Sequence, residues 1–422
     1  MTDAPRSPLW HPFTQHGLEP VMTNIAHAEG AWLESADGSS IFDAISSWWV
    51  VTHGHRHAKI IAAIKEQADT LDQVIFAGFT HEPAETLARG LIEIAPAGLE
   101  HVFLSDSGST AVEVALTMAL GYWRNHGEGR TRILALEHAY HGDTVGTMSA
   151  GARGVFNAAY EPMLFDVGRI PFPAQGNDQA SLDALEAACR KGDVAAFICE
   201  PLILGAGGML MYGAATLKAM HATCRAHDVL FIADEVMTGF GRTGTLFSCE
   251  QAGISPDILC LAKGLTGGSL PLAATLCTRA IFDAHCSKDR TRMFFHSSSY
   301  TANPICCAAA NANLAIWRDE PVRERVAGLS QMQSERLTAL RTNPKFENVR
   351  QLGTISAFDL AGHREGYSAD IALPLRSYFL ERGILMRPLG RSIYVMPPYC
   401  STGTELDLVY AVITAAAEEV RA

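Results

Sequence analysis

The chain is short of positive charge and has no long apolar run. Lys and Arg number 33 against 45 Asp and Glu, a net charge of −12. Nucleic-acid binding rests on clustered Lys and Arg, and no basic run occurs here, so no nucleic-acid partner is expected. A membrane-spanning helix needs ~20 apolar residues in a row. The most apolar stretches, Val229–Ala233 and Ile258–Ala262, are strand-length and run into charged residues, so no membrane partner is expected either. Met1 to Pro12 is polar and Pro-rich and lacks a charged-then-apolar signal pattern, which points to a cytoplasmic location. The ten cysteines include no C-x-x-C pair. Cys306 and Cys307 are adjacent, which suits neither an ordinary bridge nor zinc, and Cys199, Cys260 and Cys277 lie inside apolar runs. They are expected to be reduced and buried, as small hydrophobes. Repeats and low-complexity segments are also missing, and 422 residues leave room for two or three domains at ~150 residues each.

What is present is an alternation of short apolar runs with helical patterns. Val102–Leu104 reads as a strand, followed by a helix to Trp123 in which Val112, Ala115, Ala119 and Tyr122 recur at three and four residues. Further strands are expected at Ile133–Leu136, Ala195–Cys199, Val229–Ala233, Ile258–Ala262 and Leu272–Cys277, with a helix over Ala214–His227. Strands apolar throughout, alternating with helices, imply an α/β fold with a mostly parallel sheet covered on both faces. After Pro304 come two long helical patterns, short strands near Ile355–Leu360, Ile384–Arg387 and Ile393–Pro397, and a last helix from Thr404. This implies a smaller α+β domain. The expected division is 1–55 as an N-terminal segment packing with the small domain, 56–310 as the large domain, and 311–422 as the small one.

In such a sheet, ligands bind beyond the carboxyl ends of the strands. Those ends carry Ser105–Ser109, Tyr140-His141-Gly142-Asp143, Glu200, Asp234-Glu235 and Lys263-Gly264. Ser107, Gly108 and Ser109 open a helix, where backbone N–H groups and the helix dipole suit a phosphate; an ordinary N-cap is the plainer reading. Lys263 ends an apolar strand, where a lowered pKa would make it an imine-forming nucleophile; a lysine reaching solvent is the plainer reading. Asp234 and Glu235 are adjacent, so an extended chain turns only one of them to the site. A phosphate cup, an imine lysine and a buried carboxylate together are the three grips that pyridoxal 5′-phosphate requires.

Two other patterns are set aside. Gly239-Phe240-Gly241-Arg242-Thr243-Gly244 matches G-x-G-x-x-G, but Thr245-Leu246-Phe247-Ser248 follows rather than a helix. It is read as tight turns, not a dinucleotide site. His53, His55 and His57 alternate as they would on one strand face, but Gly54 and Arg56 interrupt and no carboxylate or cysteine is near in sequence. A loop with mixed roles is expected, and no metal.

The run Phe231–Gly244, with Pro256-Asp257-Ile258 and Lys263-Gly264, closely resembles the signature of the class III aminotransferases, within fold type I of the pyridoxal-phosphate enzymes. The resemblance covers nearly the whole chain. Trp10–Thr14, Ser46–Trp49, Thr80–Pro83, Ser105–Ser109, Tyr140–Asp143, Gly205–Met209, Arg387-Pro388 and Met396–Tyr399 are similar to the branch that acts on 8-amino-7-oxononanoate. Phe13, Leu204, Ser298-Ser299 and Leu389 depart from that branch, which more often has Tyr, Gln, Pro-Thr and Phe there.

The resemblance implies a role for each matching residue. Lys263 forms the imine, Asp234 pairs with the ring nitrogen, and Ser107, Gly108 and Ser109 hold the phosphate. Tyr140 stacks on the ring, and His141 and Glu200 stand at cofactor positions. Ser299 reaches the phosphate of the other subunit. Arg387 takes a substrate carboxylate, and Phe13, Trp48, Asp143 and Tyr399 line the substrate side. The implied activity aminates 8-amino-7-oxononanoate to 7,8-diaminononanoate, with S-adenosylmethionine as donor, in biotin synthesis. An ω-amine:pyruvate transaminase and a catalytically silent pyridoxal-phosphate protein are the alternatives. The implied assembly is a homodimer with shared sites, and the sequence itself hints at an interface through an apolar N-terminal half that includes Trp48, Trp49, Phe76 and Phe79.

Overall fold

The computed structural model of the chain describes residues 7–19, 22–174, 176–364 and 366–421. Its centre is a seven-stranded sheet in the order Leu99–Ser105, Ala273–Thr278, Ile258–Leu261, Leu230–Asp234, Val194–Cys199, Arg132–Leu136, Gly168–Ile170. Ala273–Thr278 runs antiparallel to both neighbours and the remaining pairs are parallel. The mostly parallel α/β fold read from the sequence is therefore correct, with one reversed strand.

Side chains alternate between the faces of a strand, so a run that is apolar at every position needs cover on both sides. Leu134, Leu136, Phe231 and Ala233 enter one buried core. Their neighbours Ile133, Ala135, Leu230 and Ile232 enter a second core, against the helix Gly108–Asn125. Eight of the ten cysteines are buried, as expected, whereas Cys286 and Cys400 are exposed; all ten are free.

The chain ends build a separate layer. Ile25–Glu29, Trp32–Ser35 and Ser40–Asp43 form a sheet closed by Ile384–Leu385, which pairs parallel with Ser40–Asp43. Phe346–Leu352, Ile355–Leu360 and Ser392–Val395 form an antiparallel sheet beside the helices Val322–Thr342, Ala372–Glu381 and Gly403–Glu419. One core takes Phe42 from the first sheet and Phe358, Phe379 and Leu406 from the C-terminal part. No helix among the described residues is long and apolar enough to cross a membrane.

Candidate active site

The carboxyl edge of the large sheet opens into a cavity of about 360 Å³. Its lining includes Ser107, Gly108, Ser109, Tyr140, His141, Glu200, Asp234 and Lys263. Residues separated by up to 156 positions meet there because each follows a strand of one sheet.

The helix Gly108–Asn125 begins at Ser107, whose hydroxyl accepts from the Thr110 amide while the Thr110 hydroxyl accepts from the Ser107 amide. The plain capping role is thus present. The first intrahelical bond is made by the Ala111 amide to the Ser107 carbonyl. The amides of Gly108 and Ser109 precede it, at the positive end of the helix and at the wall of the cavity. A Cβ at Gly108 would lie 2.6 Å from Cγ1 of Val236, so only glycine lets this turn sit so close.

Asp234 is buried and takes Nδ1 of His141 on one carboxylate oxygen at 2.6 Å and the Val236 amide on the other at 3.1 Å. The next residue turns away. Glu235 accepts from the Ser248 and Cys249 amides and the Thr238 hydroxyl. The alternation expected of an extended chain thus decides which carboxylate faces the cavity. Glu200 is buried too and accepts from the Tyr140 and Gly205 amides at 3.0 and 2.9 Å; burial pushes its carboxyl up to about 7.

Lys263 has a positive φ of 42° and lines the cavity. Its ammonium lies 5.1 Å from the centre of the Trp49 ring. Desolvation lowers its pKa against the opposing pull of Asp234 and Glu200. The phenol of Tyr140 is pushed well up, first by burial and then by the nearby Asp143 carboxylate.

A second chamber of about 320 Å³ shares Trp49, Tyr140 and Lys263 with the first. Its other walls include Phe13, Trp48, Asp143, Phe156, Tyr367, Arg387 and Tyr394. Phe13 meets Trp48 edge-on at 5.4 Å and Phe156 at 6.0 Å, and Phe156 meets Tyr367 at 4.8 Å. Trp49 donates to the Tyr394 hydroxyl at 3.0 Å. The guanidinium of Arg387 lies 5.0 Å over the Trp48 ring and donates to the Phe13 carbonyl at 2.6 Å. Trp49, Phe156, Tyr367 and Tyr394 join this wall beyond the residues that the resemblance implies. Only Trp49 carried a signal, its place beside Trp48.

Some expectations fall elsewhere. Tyr399 is buried but faces away from the chamber: its hydroxyl donates to the Phe240 carbonyl and its ring sits 5.1 Å from the Arg242 guanidinium. Arg242 fixes the chamber floor from behind, donating to the carbonyls of Trp49, Val51 and Pro397. Ser299 lies outside its own chain's cavity, with its carbonyl accepting from Gln73. Of the four aromatics expected at an interface, Trp49 is buried and Phe76 partly buried, while Trp48, 38% exposed, borders the chamber and Phe79, 62% exposed, stands on the outer surface.

The two patterns set aside resolve as ordinary structure. Phe240, Gly241 and Gly244 have positive φ, as tight turns require. The three histidines take three different partners: His53 meets Asn313, His55 meets Asp43 and His57 lies near Glu320.

Comparison with known proteins places this geometry in a family. The model of the class III aminotransferases matches residues 13–417. An adenosylmethionine-8-amino-7-oxononanoate aminotransferase from Synechococcus elongatus is 49% identical over 98% of this chain and 99% of its own length. The same-named protein of Geobacter sulfurreducens is 37% identical over 97% of this chain and 95% of its own. The crystal structure of the Methanocaldococcus jannaschii protein of that name superposes with a TM-score of 0.94 at 34% identity, covering 98% of each chain. An amine transaminase from an uncultivated Pseudomonas species, in a pyridoxal-phosphate-bound form, follows at 0.92 and 32%, also covering 98% of each. The chain belongs to the class III aminotransferases, and pyridoxal 5′-phosphate is its cofactor.

Proposed function

We propose that this aminotransferase aminates 8-amino-7-oxononanoate to 7,8-diaminononanoate, with S-adenosylmethionine as amino donor, as a step of biotin synthesis. The observation that carries the reading is the second chamber. It places an amine, Lys263, and a guanidinium, Arg387, on the walls of one aromatic cavity. A substrate with a reacting carbonyl, a methylene chain and a remote carboxylate matches those three features in turn. The full-length match to relatives named for this reaction supports the same reading.

The residues present fit pyridoxal phosphate. Gly108 and Ser109 amides would hold its phosphate, Asp234 its ring nitrogen and Lys263 its aldehyde carbon. When bound, the cofactor supplies an electron sink for a carbanion. Asp234, braced by His141, would keep a proton on the ring nitrogen. Lys263 Nζ, neutral more often because burial lowers its pKa, would take a proton from the donor's amine-bearing carbon and later give one back. Tyr140 and the aromatic walls exclude water from that transfer. Arg387 would exchange its bond to the Phe13 carbonyl for a bidentate pair with the acceptor's carboxylate.

The site is proposed to be completed in a homodimer, with Ser299 entering the partner's phosphate cup. Ile75, Phe79, Phe295 and Tyr300 are all more than 60% exposed on segments tied together by the Gln73–Ser299 bond. An apolar surface of that kind suits an obligate interface. Residues 1–55 are proposed to pack with a small domain of 311–422, beside a large domain of 56–310, as the core that Phe42 shares with Phe358 supports.

Purified protein given 8-amino-7-oxononanoate and a panel of donors tests the function. Diaminononanoate formation with S-adenosylmethionine is expected. Turnover of simple amines with pyruvate, and none of the oxononanoate, would transfer the reading to an ω-amine transaminase, a type that the fold also matches.

A further inference from the structure

The turn that carries Lys263 is held from behind by a buried pair that lines neither cavity. Asn313, on the helix Pro304–Asp319, is fully buried. Its amide nitrogen donates to the Gly264 carbonyl at 3.0 Å and to the Leu265 carbonyl at 2.9 Å. Its Oδ1 lies 2.8 Å from Nε2 of His53, which is buried as well. The opposite amide orientation would set an oxygen against two carbonyls, so the bonds fix it. Oδ1 can only accept, so His53 donates from Nε2. Nδ1 is then the bare nitrogen, and it is buried without a partner. Burial holds this imidazole down at about 4, which keeps it neutral.

The turn needs holding. Lys263 has a φ of 42°, a region that L-residues enter at a cost. The Leu265–Ala262, Gly267–Gly264 and Ser269–Thr266 backbone bonds close the turn on itself, and Asn313 adds two bonds from outside it. The surroundings leave it no slack: a Cβ at Gly264 would lie 2.9 Å from Cβ of Phe240, and one at Gly268 would lie 2.6 Å from the Val50 carbonyl group.

We propose that His53 and Asn313 are positioning residues for Lys263. They clamp the two carbonyls that follow it, so that Nζ is held in its desolvated seat beside Trp49 and Asp234. This rests on the reading of Lys263 as the reacting amine.

The test labels Lys263 with acetic anhydride in the full-length chain freed of cofactor, across a pH series, and quantifies the labelled peptide by mass. Asn313→Leu, of similar volume and no added charge, should move the pH midpoint of labelling upward by about half a unit or more, as Nζ regains water. In the reconstituted enzyme kcat should fall about tenfold or more with both KM values little changed, because a small misplacement acts on the reacting geometry. His53→Leu should move the midpoint in the same direction. His53→Gln, which can still donate to Oδ1, should return it towards the parent value. If Asn313→Leu does not fold, the two His53 variants decide. A midpoint equal to the parent's in every folded variant would overturn the proposal, as would identical behaviour of Gln and Leu at position 53. Failure of the reading of Lys263 shows separately, in the parent, as borohydride trapping of the cofactor on another residue or on none.

Discussion

The two chambers that meet at Lys263 are built by different means. The cofactor side is made of residues that each follow a strand of one sheet, and its polar groups bond to one another: His141 to Asp234, Tyr140 and Gly205 amides to Glu200. The substrate side is made of residues from an N-terminal segment, a sharp turn at 46–49, a mid-chain loop and the C-terminal region. Its members meet mostly ring to ring, and Arg387 makes its hydrogen bond there to a backbone carbonyl. A sheet edge fixes chemistry through local sequence. A wall of remote aromatics fixes which molecule fits, and it can change residue by residue without disturbing the chemistry.

That contrast predicts a graded set of effects. Lys263→Ala should cost the most: turnover falls by about a thousandfold or more, and borohydride-trapped cofactor is lost. Asp234→Asn removes a charge and disturbs the acceptor of His141, and kcat should fall roughly 100-fold with either donor class. Arg387→Ala acts on the other chamber. It should lower kcat/KM for a carboxylate-bearing acceptor roughly 10- to 100-fold and leave pyruvate-independent cofactor trapping intact, because charged hydrogen bonds are worth that much. Equal losses from Asp234→Asn and Arg387→Ala on every substrate would dissolve the distinction between the chambers.

The difference also explains what could be read from sequence. Asp234, Lys263 and the Ser107–Ser109 turn stand at strand ends, where the apolar run before them marks their direction. Strand alternation says that only one of Asp234 and Glu235 faces the site, and the family resemblance says which. Phe156 and Tyr367 had no such marker, because nothing local says that an aromatic in a loop will meet Phe13 from the far end of the chain. Tyr399 failed for the opposite reason. It lies in a stretch that matches the family, but Arg242 and the Phe240 carbonyl hold its ring behind the chamber.

Two smaller effects sharpen the comparison. Phe13→Tyr adds a hydroxyl to the substrate wall and should lower KM for the acceptor by about threefold, leaving kcat unchanged; steady-state kinetics decides. Glu200 has a carboxyl raised by burial from 4.5 to about 7, so its proton-bound form is the one that folding favours. Its contribution to stability is fully present below 4.5 and is lost as pH rises through about 7. Glu200→Gln should therefore gain thermal stability relative to the parent between those two pH values. A constant difference across that window would contradict the assignment.

The most direct measurement is a single turnover. Protein converted to its amine-bearing form is mixed with 8-amino-7-oxononanoate, and the product is identified by mass. The account predicts 7,8-diaminononanoate in an amount equal to the cofactor trapped on Lys263. No diaminononanoate, with alanine formed when pyruvate is supplied instead, would contradict it.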